Sequence, residues 1–67
     1  MKLTNADVKK SLTNRLKRVE GQLRGVQVMI EDERECREVL QQLTAVRAAV
    51  RGVTQALLQE YASCCLL

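Results

Sequence analysis

The sequence predicts an all-α fold: two long antiparallel helices per chain, with the second helix paired antiparallel against its own copy, so that two chains build a four-helix bundle. Three observations lead there. Apolar residues recur at alternating spacings of four and three in two separate blocks, and the chain contains no proline to interrupt either block. Its 67 residues, 46% of them hydrophobic, carry more apolar surface than so short a chain can bury alone. A domain of this size hides only about 60% of its unfolded surface, and the shortfall is met by a second copy.

Residues 1–67 read as one helical dimerisation domain, with helix 1 at about 5–30 and helix 2 at about 33–65. Thr4-x-x-Asp7 has the form of a helix start, with an acid in the first turn. Leu12, Leu16, Val19, Leu23, Val26 and Ile30 then form a heptad seam. Gly21 and Gly25 lie four apart on one face of this helix and suggest a close approach by helix 2, a second subunit or DNA.

The second seam is Val39, Leu43, Val46, Val50, Val53 and Leu57. Asp32 and Glu35 have the spacing of an N-cap and its reciprocal partner, so the chain is expected to break near residues 31–33. No glycine or proline enforces that break, and one continuous helix is the alternative. Helix 2 would be about 50 Å long at 1.5 Å per residue, against a radius of gyration of about 11 Å for a compact chain of this length. Such a helix needs a partner.

Charge is segregated. Residues 1–25 hold seven basic side chains against two acidic ones, while residues 26–40 hold five acids against two arginines. A basic first helix is suited to a polyanion. No histidine is present, and no serine, histidine and aspartate set can be assembled, so an enzyme is not expected. No apolar run approaches the roughly 20 residues of a membrane span, and Lys2 is followed by Thr4, Asn5 and Asp7 rather than an apolar signal segment. The expectation is a cytoplasmic protein with reduced thiols and no membrane association.

Three cysteines remain: Cys36, Cys64 and Cys65. Cys36 and Cys65 are 29 residues apart, which puts them within about 20° of the same helix face but about 44 Å apart along the axis. If two copies of helix 2 run antiparallel with residue i facing residue 101 − i, Cys36 of one meets Cys65 of the other. The same register sets Leu40 against Tyr61 and Leu43 against Leu58, and gives two identical thiol pairs per dimer. Supercoiling would let Cys64 serve in place of Cys65. Cysteines as small buried hydrophobes are the plainer alternative.

Residues 14–25 (NRLKRVEGQLRG) and 36–47 (CREVLQQLTAVR) resemble the two signatures of the copper-sensitive operon repressor (CsoR-like) family, and the likeness runs from about residue 9 to 65. The resemblance implies bacterial helical dimers that pair into tetramers, bind operator DNA and release it when an inducer reaches a cysteine of helix 2. Cys36 matches the family's sensing cysteine, and Cys65 matches the second thiolate, supplied by the other subunit. Tyr61 stands where the copper, nickel and cobalt sensors place a histidine. Phenol is a poor ligand for copper(I), which prefers sulfur or imidazole. Two cysteines without histidine match the persulfide-sensing branch instead, where Cys36 takes up sulfane sulfur and Cys65 of the partner closes a sulfur bridge. The expected function is therefore a persulfide-responsive repressor requiring no cofactor. The alternative is a copper(I)-responsive one binding the metal through Cys36 and Cys65, with Cys64 as an auxiliary thiol. The family usually continues into a third helix beyond the second cysteine.

No helix-turn-helix or zinc-finger pattern is present. Lys10, Lys17, Arg18 and Arg24 lie roughly on one outward stripe of helix 1, and Arg15 lies nearer the seam. The resemblance implies that Arg15 and its neighbours, with Arg47 or Arg51 of helix 2, form a flat positive face that binds phosphates and weakens with salt. A helical adaptor that binds a partner coil is the competing class, and it predicts no salt-dependent affinity for DNA.

Overall fold

The structure, a computed structural model, describes residues 4–65, with side chains as far as Ala62. Two helices account for nearly all of it: α1 spans Ala6–Glu31 and α2 spans Cys36–Cys65. The chain is all-α, as the two heptad blocks predict, and the helices form an antiparallel hairpin 50 Å long and only 19 × 13 Å in section.

Each boundary has a local cause, and two differ from expectation. Helix 1 is capped by Asn5, one residue after Thr4. The Asn5 side chain accepts hydrogen bonds from the backbone N–H of Asp7 at 2.9 Å and of Val8 at 3.1 Å. Those are two of the donors that a helix start leaves unpaired. At the other end, Asp32 closes α1 rather than opening α2. Glu33 N–H donates to Ile30 C=O at 3.1 Å and Arg34 N–H to Met29 C=O at 3.0 Å, the paired bonds of a Schellman motif. That motif needs a left-handed residue after the cap, and Glu33 supplies it at φ 56°. Helix 2 consequently starts at Cys36 instead of about 33, its first backbone bond running from Val39 N–H to Glu35 C=O. The break is real, but Asp32 and Glu35 do not form the predicted cap.

Packing splits each heptad seam in two. Leu12, Val19 and Val26, seven apart on α1, are buried against α2, where Val46 is buried and Val39 and Val53 are half-buried. The alternate members, Leu16, Leu23 and Ile30 on α1 with Val50 and Leu57 on α2, are exposed. Leu40, Leu58 and Tyr61 extend this open surface along α2. Among the described residues no side chain is completely enclosed. Two helices meet along one line and cannot surround anything. The radius of gyration, 15.3 Å, exceeds the roughly 11 Å of a compact chain of this length.

Candidate functional site

Cys36 is the first residue of α2, where the Schellman turn delivers the chain from α1. It is exposed and free. Ile30, Arg34, Val39 and Leu40 join it around a shallow, mainly apolar recess of about 370 Å³. Ile30 and Leu40 both belong to the open apolar surface, so the thiol sits at one end of that surface. Beside it, Arg34 Nε meets Glu38 Oε2 at 2.8 Å across one helical turn, an exposed pair of little energetic weight.

The backbone of α2 is helical without interruption from Cys36 to Cys65. Thirty residues at 1.5 Å per residue keep these two cysteines about 44 Å apart, so no single chain can join them. The side chains of Cys64 and Cys65 lie outside the described residues. Among the described residues, no three His, Cys, Asp or Glu side chains gather where they could hold a metal ion. Tyr61 is about half exposed on the same helix.

The basic residues fall into three groups, all exposed. Lys10 and Lys17 face outward from α1 around a shallow recess with Lys9, Thr13 and Asn14, and Arg24 continues their stripe two turns on. Arg47 and Arg51 flank a second recess on α2 with Thr44 and Ala48. Arg15 lies where α1 meets α2, and Arg18, expected on the outward stripe with Lys10, Lys17 and Arg24, falls instead on the Arg15 flank one turn further along. Arg15 borders a groove with Ser11, Leu12, Ala56 and Gln59, closed by Asp7 and Glu60. Within one chain these are separate patches rather than one sheet of charge. Among the described residues the only ion pair is the one between Arg34 and Glu38, which leaves the basic groups open to an external anion.

Glycines show what the sequence reading missed. Gly21 and Gly25 meet nothing on α2: only the Arg24 side chain comes within 4.0 Å of the former, and nothing approaches the latter. The close approach is at Gly52, over which the Arg15 guanidinium lies. A signal for it exists in the sequence. Ala45, Ala49, Gly52 and Ala56 recur at helical spacing on α2 and mark the side that tolerates a near neighbour.

The model of the family described as metal-sensitive transcriptional repressor matches residues 8–67. The copper-sensing transcriptional repressor CsoR of Bacillus subtilis is 48% identical over 58 residues, covering 87% of this chain and 57% of its own length. The copper-sensing transcriptional repressor RicR of Mycobacterium tuberculosis is 47% identical over 58 residues, covering 87% of this chain and 60% of its own. The chain thus spans rather more than half the length of these relatives. The crystal structure of the copper-sensing repressor CsoR with Cu(I) from Geobacillus thermodenitrificans superposes with a TM-score of 0.91 at 43% identity, over 97% of this chain and 68% of that one.

Proposed function

This chain belongs to the metal-sensitive transcriptional repressor family, a family of regulators rather than enzymes, and from that premise we propose that it is a DNA-binding repressor of the cytoplasm whose inducer acts at Cys36 between two copies. One observation carries the reading: an exposed thiol stands at the end of an apolar surface that a single chain leaves open. A second copy laid antiparallel along that surface covers Val50, Leu57, Leu58 and Tyr61. It also brings the far end of its α2, with Cys64 and Cys65, to Cys36. The apolar pairs of this register, Leu40 with Tyr61 and Leu43 with Leu58, are exposed or half-buried in the lone chain and available for the contact. Pairing of such dimers into tetramers is part of the same proposal.

Copper(I) is the inducer best supported, because the similar proteins are named as copper sensors. Two thiolates, Cys36 and Cys65 of the second copy, suit that soft ion, and Cys64 would serve as a third. The donor set of this chain favours a second reading as well. With no histidine in the sequence and a phenol at residue 61, sulfur chemistry at the same pair is the natural rival. A Cys36 thiolate attacks the terminal sulfur of an organic persulfide, giving a Cys36 persulfide and a thiolate. Cys65 of the other copy then attacks the Cys36 sulfur, closing a disulfide and expelling hydrosulfide. In both readings inducer and DNA favour different arrangements of the two hairpins and oppose each other's binding.

The experiment is anaerobic titration of the DNA-bound protein with copper(I) and, separately, with an organic persulfide, followed by fluorescence anisotropy of a labelled duplex from the promoter of its own gene. Release by copper(I) alone supports the first reading, and release by persulfide alone the second. Cys36→Ala should bind the duplex normally and respond to neither. Undiminished release from that variant would end both readings.

A further inference from the structure

The geometry points to Gly52 as a positioning residue for Arg15: its bare backbone lets the Arg15 guanidinium cross α2 and holds that cation on the face of the hairpin opposite the open apolar surface. This assignment rests on the proposal that Arg15 meets DNA, and adds how the side chain is aimed.

Three observations carry it. A β-carbon built on Gly52 would stand 2.6 Å from Arg15 Nη2 and 3.8 Å from Cζ, closer to the nitrogen than non-bonded atoms tolerate. The other two glycines lack any such neighbour on α2, so the fit is particular to this position. Helical angles then fix the side. On α1, Arg15 and Leu16 fall on opposite flanks of the buried stripe of Leu12, Val19 and Val26, and on α2, Gly52 and Val50 fall on opposite flanks of Val46. The groove that holds Arg15 runs with Ser11, Ala56 and Gln59 on this polar flank. A second copy covering the Leu16, Leu23 and Val50 side therefore leaves Arg15 uncovered, its guanidinium laid across the helix before any phosphate arrives. A cation already held loses less rotamer freedom on binding than one swinging in water. Asp7 and Glu60 close the groove, and neither forms an ion pair with Arg15 among the described residues.

The obstructing atom is the tip of a flexible side chain, so substitution at Gly52 moves Arg15 and spares the helix. Alanine also favours an interior helical position over glycine. Gly52→Ala should thus raise the thermal midpoint by about 4 °C while weakening the promoter duplex between about twofold and tenfold. The deciding test is a double-mutant cycle with Arg15→Ala, measured by anisotropy across a salt series. The expected result is that Gly52→Ala weakens binding in the native background and changes nothing once Arg15 is gone. Gly52→Ser, which adds the same β-carbon, should follow the same pattern. Equal losses in both backgrounds would overturn the assignment. So would a Gly52 variant that binds normally while Arg15→Ala binds poorly, or one that lowers the thermal midpoint and leaves affinity unchanged. If Arg15→Ala itself binds with native affinity and salt dependence, Arg15 has no part in DNA binding, and that outcome is recognisable without the Gly52 variants.

Discussion

The two halves of the heptad seam on α1 are chemically alike and structurally opposite. Leu12, Val19 and Val26 are covered by α2, whereas Leu16, Leu23 and Ile30, with the same spacing and the same kind of side chain, face outward. The covered stripe closes the hairpin, and the uncovered one has no counterpart within the chain. Exposed apolar side chains are common on proteins, but a contiguous row of them on a long thin hairpin marks an interface. The difference teaches that the local structure of this chain is complete, with a cap, a Schellman turn and one buried line, while a second apolar line is left open. On the proposed reading a second copy covers it.

Substitutions on the two stripes should therefore fail in different ways. The largest effect is expected from Leu23→Asp. A carboxylate buried without a partner costs on the order of 3 kcal/mol or more, about a hundredfold in the dissociation constant of the assembly. Sedimentation should show dissociation, and DNA affinity should fall with it. A Leu23→Asp protein that assembles normally would remove the distinction between the stripes. Leu12→Ala on the covered stripe should cost about 2–3 kcal/mol, the low end for a leucine truncation because the site is not fully enclosed. Calorimetry should record a lower thermal midpoint with an unchanged mass for the folded species. The smallest effect belongs to the turn, which serves the hairpin alone. Glu33 holds φ 56°, a conformation that favours glycine by about 1 kcal/mol. Glu33→Gly should raise the thermal midpoint and leave both assembly and inducer response as they are. A fall in stability would mean that the Glu33 side chain does something the turn geometry does not require.

Much of this was legible in the sequence, and the rest failed for identifiable reasons. The spacing of Leu12 through Ile30 and of Val39 through Leu57 announced both helices because a heptad pattern survives without any tertiary information. It could not tell Leu16 from Val19, since both are apolar and only the position of α2 separates them. The turn is hidden in the sequence because its left-handed residue is a glutamate, which carries none of the signal of a glycine. Asp32 and Glu35 then imitated a start where Asp32 is in fact an end. The cap is Asn5 rather than Thr4, a difference of one residue between two polar side chains that both suit a helix start. Gly21 and Gly25 suggest a close approach because they are a pair; they lie away from α2, which leaves a second subunit or DNA as the neighbour. Gly52 stands alone, and its role depends on a side chain 37 positions earlier in the chain. Cys36 was identified from the sequence and stands where an external partner can reach it. The companion thiol proposed for it would come from a second copy, because Cys65 of the same helix lies about 44 Å away.

The central claim is that a second copy covers the open stripe, and sedimentation equilibrium on the unmodified protein at micromolar concentration tests it most directly. The account predicts a mass of twice 7.6 kDa, or four times it, with Leu23→Asp shifted toward the single chain. A native protein sedimenting as a stable, fully helical 7.6 kDa monomer would contradict it.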